Sequence, residues 1–145
     1  MLRRVIHTDN DKQTIIIRFL VGCVFLSEGI QKILFAKTLG SGRFETIGLP
    51  APEILGPFVA MVEICGGFLL LIGLFTRLVC VPLIVVILAA IATTKSVIYV
   101  EKGFWELLHN SRTDWAMLLG CMFLFIKGSG FYSVDYTYNK IKSYA

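Results

Sequence analysis

Among the ionisable residues inside or at the edge of long apolar runs, Glu28, Lys32, Glu63 and Asp114 could share one site. A charge at the centre of a membrane helix costs about 2.5–3.5 kcal/mol, so such residues are expected to face a bundle interior and to meet partners there. Glu28 and Lys32 stand at i and i+4 with the acid first, the favourable order on a helix. Together with Ser27 and Gln31 they cover an arc of roughly 140°, a polar wedge on one face. Glu63 has no charge within a helical turn of it, and the face it shares is small: Gly56, Ala60, Gly66 and Gly67. Small residues let a second helix come close. An amine beside carboxylates can fix helix register as a buried ion-pair network. It can also polarise a ligand oxygen or relay a proton, because carboxylates sharing a site resist ionising together. A quinone oxygen suits such a site.

Depth supports bringing these groups together. Glu28 lies about 12 Å before the end of its apolar run, Lys32 about 6 Å before it, and Glu63 about 15 Å into the next run, at the rise of an α-helix. Asp114 is read as opening the fourth run on the same side, with His109 in the loop before it as a solvated histidine. A second candidate cluster, near the opposite surface, holds Arg18, Arg77 and Asp135, where topology locking is the plain reading. The cysteines Cys23, Cys65, Cys80 and Cys121 form no C-x-x-C pair and show no Cys/His spacing for zinc. They read as small buried hydrophobes, with a redox pair between helices left open. No haem, zinc or P-loop pattern is present, so no metal is expected.

The elements that must position these residues are membrane helices. The chain has 145 residues, 56% hydrophobic and 17% charged, against about 45–50% apolar in soluble proteins. Its mean hydropathy is +0.75. That composition argues against a cytosolic enzyme or a disordered binder and names the lipid bilayer as the first partner. Apolar runs cover 14–36, 54–75, 78–100 and 114–127; about 20 residues cross the hydrocarbon, and the fourth run is short enough to require tilt, extension or local thinning. Pro50, Pro52 and Pro57 mark the start of the second run, and Pro82 falls in the first turns of the third. No sustained period-two alternation suggests a barrel. The expectation is one domain over 1–145, an all-α four-helix transmembrane bundle.

The polar N-terminus, with His7 in it, and the charges in the first run do not read as a cleavable signal. An even number of spans puts both termini on one side, with Arg3, Arg4, Lys12, Arg77, Lys127, Lys140 and Lys142. The other side has Lys37, Arg43, Lys95, Lys102 and Arg112. The excess favours cytoplasmic termini. The basic residues border the apolar runs and do not cluster on one solvated face, so nucleic acid is not an expected partner.

Three blocks resemble a known family. Arg18 to Lys32 reads R-F-L-V-G-C-V-F-L-S-E-G-I-Q-K, and Glu63 to Arg77 reads E-I-C-G-G-F-L-L-L-I-G-L-F-T-R. Gly128 to Asp135 reads G-S-G-F-Y-S-V-D. Their order and spacing resemble the DoxX family over nearly the whole chain. The resemblance implies a small four-helix protein of the bacterial cytoplasmic (inner) membrane. Its motif positions fall on Arg18, Gly22, Gly29, Lys32, Glu63, Gly66, Gly67, Thr76, Arg77, Ser133 and Asp135. Asp114 stands where the family often has Glu, and Glu28 is not among the motif positions. The family takes its name from subunits of a thiosulfate:quinone oxidoreductase, which implies a membrane subunit of a quinone- or thiol-linked redox complex with membrane or peripheral redox partners. Related proteins are described as assembly factors, which gives a non-enzymatic scaffold as the alternative. A small-solute or proton pathway is a third reading, and it would require a homo-oligomer.

Overall fold

A computed structural model describes residues 8–144. Arg3, Arg4 and His7 lie outside the described residues, as do the side chains of Lys95 and Lys142. The described chain is helical, without strands. Helix α1 is Thr14–Leu34, a short α2 is Ser41–Thr46, α3 is Pro52–Ile72 and α4 is Thr76–Ala90. A π-helical turn, Ile91–Lys95, leads into α5, Ser96–Lys102; α6 is Phe104–Lys127 and α7 is Val134–Tyr144.

The long helices pack in the ring order α1, α3, α4, α6 and back to α1. The burial pattern is that of a protein whose solvent is lipid. Helix α1 turns Arg18, Val21, Gly22, Phe25 and Gly29 inward, at helical spacing. Ile16, Phe19, Leu20, Ile30 and Ile33 on its other side are exposed. Helices α3 and α4 carry the same outward apolar dressing, with Ile54, Phe58, Met61, Phe68, Leu78, Val81, Val85 and Leu88. Among the described residues, three helices are long and apolar enough to cross a bilayer: α1, α3 and the stretch from Thr76 to Thr94. At 21 residues, α1 spans about 31 Å.

Glycine decides how α1 and α3 meet. A Cβ on Gly67 would lie 2.6 Å from the Leu26 nitrogen and 2.7 Å from the Gly22 carbonyl oxygen. A Cβ on Gly29 would lie 2.7 Å from the Ala60 carbonyl oxygen. Lipid tails are as apolar as leucine, so close backbone packing supplies the association that hydrophobicity cannot. Gly67→Val is therefore expected to force the two helices apart and to abolish most of the folded, detergent-stable protein. Size-exclusion recovery after mild solubilisation checks this, and wild-type recovery would contradict it.

The fourth helix differs most from the sequence expectation. It begins at Phe104 rather than at Asp114, and is 24 residues long. Glu106, His109, Asn110 and Arg112 lower the hydropathy of its first half, yet all four lie on exposed parts of a continuous helix. Asn110 reaches back to the Glu106 carbonyl at 2.8 Å. His109 is consequently a helical residue, in contact with Arg112, and not a loop residue. The third run also differs: it is α-helical only to Ala90, then widens into the π turn before α5. The first two runs stop slightly earlier than read, at Leu34 and Ile72. Helices α2 and α7 lie outside the four runs.

The cysteines divide. Cys80 and Cys121 are buried and face each other across the α4–α6 contact. Cys23 and Cys65 are exposed, against the expectation of burial, because they fall on the outward arcs of α1 and α3. An exposed thiol still behaves as a small apolar group where the surroundings are acyl chains.

Candidate functional site

The α1–α3 contact carries an ion pair. Lys32 Nζ lies 2.7 Å from Glu63 Oε2 and donates a hydrogen bond to Oε1 at 3.0 Å. Oε2 is off the donor direction and has no hydrogen-bond partner, so the nearer contact is ionic. The same ammonium is 3.4 Å from Glu28 Oε2, one turn earlier on α1. Side-chain exposure rises along this chain of charges, from 5% at Glu63 to 14% at Lys32 and 55% at Glu28. Gly29 and Ala60 bring the backbones close enough for Lys32 to span the gap. The polar wedge of α1 splits in two. Gln31 donates to Ser27 at 2.9 Å on the exposed surface, while Lys32 turns inward.

All four residues of the first expected cluster line one cavity of about 480 Å³: Glu28, Lys32, Glu63 and Asp114. That is within the ordinary range for small-molecule sites. Asp114 reaches it from inside α6, not from the start of a helix. His109 is not among the lining residues. The walls between the charges are apolar, with Val24 and Phe25 from α1, Leu55, Phe58 and Val59 from α3, Val86 and Ile87 from α4, and Met117 from α6. The α1–α3 connection forms a roof of Leu39, Phe44, Ile47 and Leu49. Glycine seats that roof as well: a Cβ on Gly56 would lie 2.8 Å from the Ser41 nitrogen.

Several lining residues gave no signal in the sequence. Arg43 sits on α2, a helix of 6 residues with no hydropathy signature. Thr93 and Thr94, within the π turn, also line the cavity. Such widened turns recur at functional sites. Thr113 joins them from α6.

The second cluster forms in part. Arg18 is 2% exposed and donates to the carbonyl oxygens of Ser129 and Tyr132. Asp135 accepts from the Phe75 amide at 2.9 Å and the Thr76 amide at 3.1 Å. Its own amide donates to the Gly73 carbonyl at 3.0 Å. Arg18 and Asp135 are near enough to feel each other's charge. Arg77 stays apart and donates instead to the Ile126 carbonyl at 2.7 Å, tying α4 to α6. The tight α3–α4 turn needs this clamp, since Gly73 and Phe75 both adopt left-handed backbone conformations, at φ 70° and 51°.

Fold and burial pattern thus define an all-α integral membrane protein with an apolar-walled cavity, carrying a few charged groups, between its helices. The sequence model of the DoxX family matches residues 14–96, and the chain belongs to that family. It is 45% identical over 139 residues to a Mycobacterium tuberculosis protein named "Uncharacterized membrane protein Rv3486", covering 91% of this chain and 85% of that one. It is 31% identical over 123 residues to a Bacillus subtilis protein named "Putative oxidoreductase CatD", covering 84% of each. No solved structure matches it.

Proposed function

We propose that this protein is the quinone-binding membrane subunit of a redox complex, seated in a bacterial cytoplasmic membrane with cytoplasmic termini. The observation that carries the reading is the convergence of Glu28, Lys32, Glu63 and Asp114 on one cavity with apolar walls. A quinone head fits the residues present. The cavity has small-molecule size, and the Lys32 ammonium has three N–H donors for a carbonyl oxygen. The name of the Bacillus relative points the same way.

A quinone in this cavity would supply a two-electron, two-proton acceptor, with electrons delivered by a membrane or peripheral redox protein. Lys32 holds a carbonyl oxygen and keeps Glu63 in place. The Glu63 carboxylate, ion-paired with Lys32, can take up a proton and pass it to that oxygen. Glu28, the more exposed carboxylate, exchanges protons with water, and Lys32 lies between the two. Thr93, Thr94 and Thr113 add hydroxyls that can orient a polar head.

Titration of the reconstituted protein with a quinone analogue tests the reading. Glu63→Gln removes the charged partner that holds the Lys32 ammonium in the cavity, an interaction worth about 1.5–3 kcal/mol, so binding through Lys32 should weaken at least about tenfold. Unchanged affinity, or no binding by the wild type, would contradict the proposal.

A second reading rests on the same pair. Lys32 is Glu63's partner and bridges α1 to α3, which is what a register-fixing device in a non-enzymatic scaffold or assembly factor would need. A stoichiometric partner retained in mild detergent by both wild type and Glu63→Gln, without quinone binding, would favour it.

A further inference from the structure

The cavity has two flanks of opposite chemistry. Between α3 and α4 it is bordered by Leu55, Phe58, Val85 and Ala89, all apolar. Phe58 is 62% exposed and Val85 60% exposed, so this flank is continuous with the outer, lipid-facing surface. Between α1 and α6 the border includes Glu28, Thr113 and Asp114. The α1–α3 connection lines the cavity with Leu39, Phe44, Ile47 and Leu49, apolar apart from Arg43 beside them. A ligand already dissolved in the bilayer meets, on the α3–α4 flank, apolar side chains that both line the cavity and face outward.

We propose that the ligand is a lipid-soluble, tailed molecule that reaches the cavity sideways from the bilayer between α3 and α4. Its tail lies in the Phe58–Val85 slot, and its polar head turns inward to Lys32 and Glu63. The opposite flank, with Glu28 and Asp114, is the side for water and protons. Transfer of a tail from lipid to an apolar slot is nearly neutral, so the slot supplies access and orientation while the head contacts supply affinity. The inference deepens the quinone reading but does not stand on it, because the slot is indifferent to the chemistry of the head.

Photolabelling of the full chain in liposomes tests it. Two probes carry a diazirine at the end of the same long alkyl tail, one on a benzoquinone head and one on a primary alcohol. Labelling that is removed by excess untagged compound should fall on residues 55–59 and 85–90, about tenfold above that at the lipid-facing Val81 and Phe68, by a site-occupancy argument. Val85→Trp should reduce it about tenfold, and Val81→Trp, one turn away and outside the cavity, should leave it unchanged.

Competable quinone label on α1 and α6 would overturn the sideways route while leaving the quinone reading intact. Competable label from the alcohol alone, on α3 and α4, would uphold the route and remove the quinone. No competable label from either probe would overturn the route. So would a Val85→Trp variant that labels like the wild type.

Discussion

Replacing Lys32 with methionine is expected to cost the folded protein about 3–5 kcal/mol, the range for removing one partner of a buried ion pair. Methionine keeps much of the apolar stem and removes only the cation. Glu63, with a side chain 5% exposed, then has no ammonium at 2.7 Å. Its face is lined by Ala60, Gly66 and Gly67, which offer no replacement donor side chain. Glu28 is too exposed to suffer in the same way. Adding Glu63→Gln to Lys32→Met should recover most of the loss, because a neutral amide costs far less to bury than an unpaired carboxylate. The double-mutant cycle isolates the pair. Unfolding titrations in mixed detergent micelles measure all four proteins. A Lys32→Met variant that unfolds with the wild type would mean that Glu63 does not depend on Lys32 in the membrane.

Asp135→Ala should be the next most damaging change, at about 3 kcal/mol. It leaves the Phe75 and Thr76 amides without their carboxylate acceptor, at about 1–3 kcal/mol for each buried donor left unsatisfied. It also removes the charge nearest the buried Arg18. Asp135→Asn keeps one acceptor oxygen and should recover roughly half of the loss. Burial pushes the Asp135 carboxyl above its ordinary value, while the amides of Phe75 and Thr76 and the hydroxyls of Ser129 and Thr76 pull it back. A folded chain that holds its proton more tightly than the unfolded chain gains stability from that group at acid pH. The gain is complete below the unfolded value and is lost as pH rises through the folded one. The stability gap between wild type and Asp135→Ala should therefore be widest in acid and narrow toward neutral pH. A gap that widens with rising pH would mean that the amide hydrogen bonds and the nearby Arg18 outweigh burial at Asp135.

The sequence is legible where lipid imposes a rule. Long apolar runs are helices because no other backbone arrangement satisfies itself in hydrocarbon short of a closed barrel, and α1, α3 and α4 follow from that alone. That Glu63 must face α1 is also readable, since its similar depth to Glu28 on an antiparallel neighbour leaves it few other places to go; that the partner is Lys32, read as shallower, comes from the reach of its long side chain. The start of α6 was not. Its first half is polar, and hydropathy cannot separate a polar helix from a loop when Glu106, His109 and Arg112 interrupt the apolar residues. The roof of the cavity was hidden for a different reason. Arg43 and Phe44 act through a single helical turn seated on Gly56, a tertiary contact without a local pattern. The π turn at Ile91–Lys95 likewise leaves no hydropathy pattern to read, although Thr93 and Thr94 within it line the site.

The claim on which the functional account turns is that the Glu63 carboxyl meets the ligand inside the membrane. Infrared difference spectroscopy of the reconstituted protein, with and without a quinone analogue, observes that group directly. A ligand-induced change in a carboxyl stretching band should be present in the wild type and in Glu28→Gln, and absent in Glu63→Gln. Identical difference spectra from wild type and Glu63→Gln would show that the carboxyl takes no part in binding and would leave the Lys32–Glu63 pair as architecture.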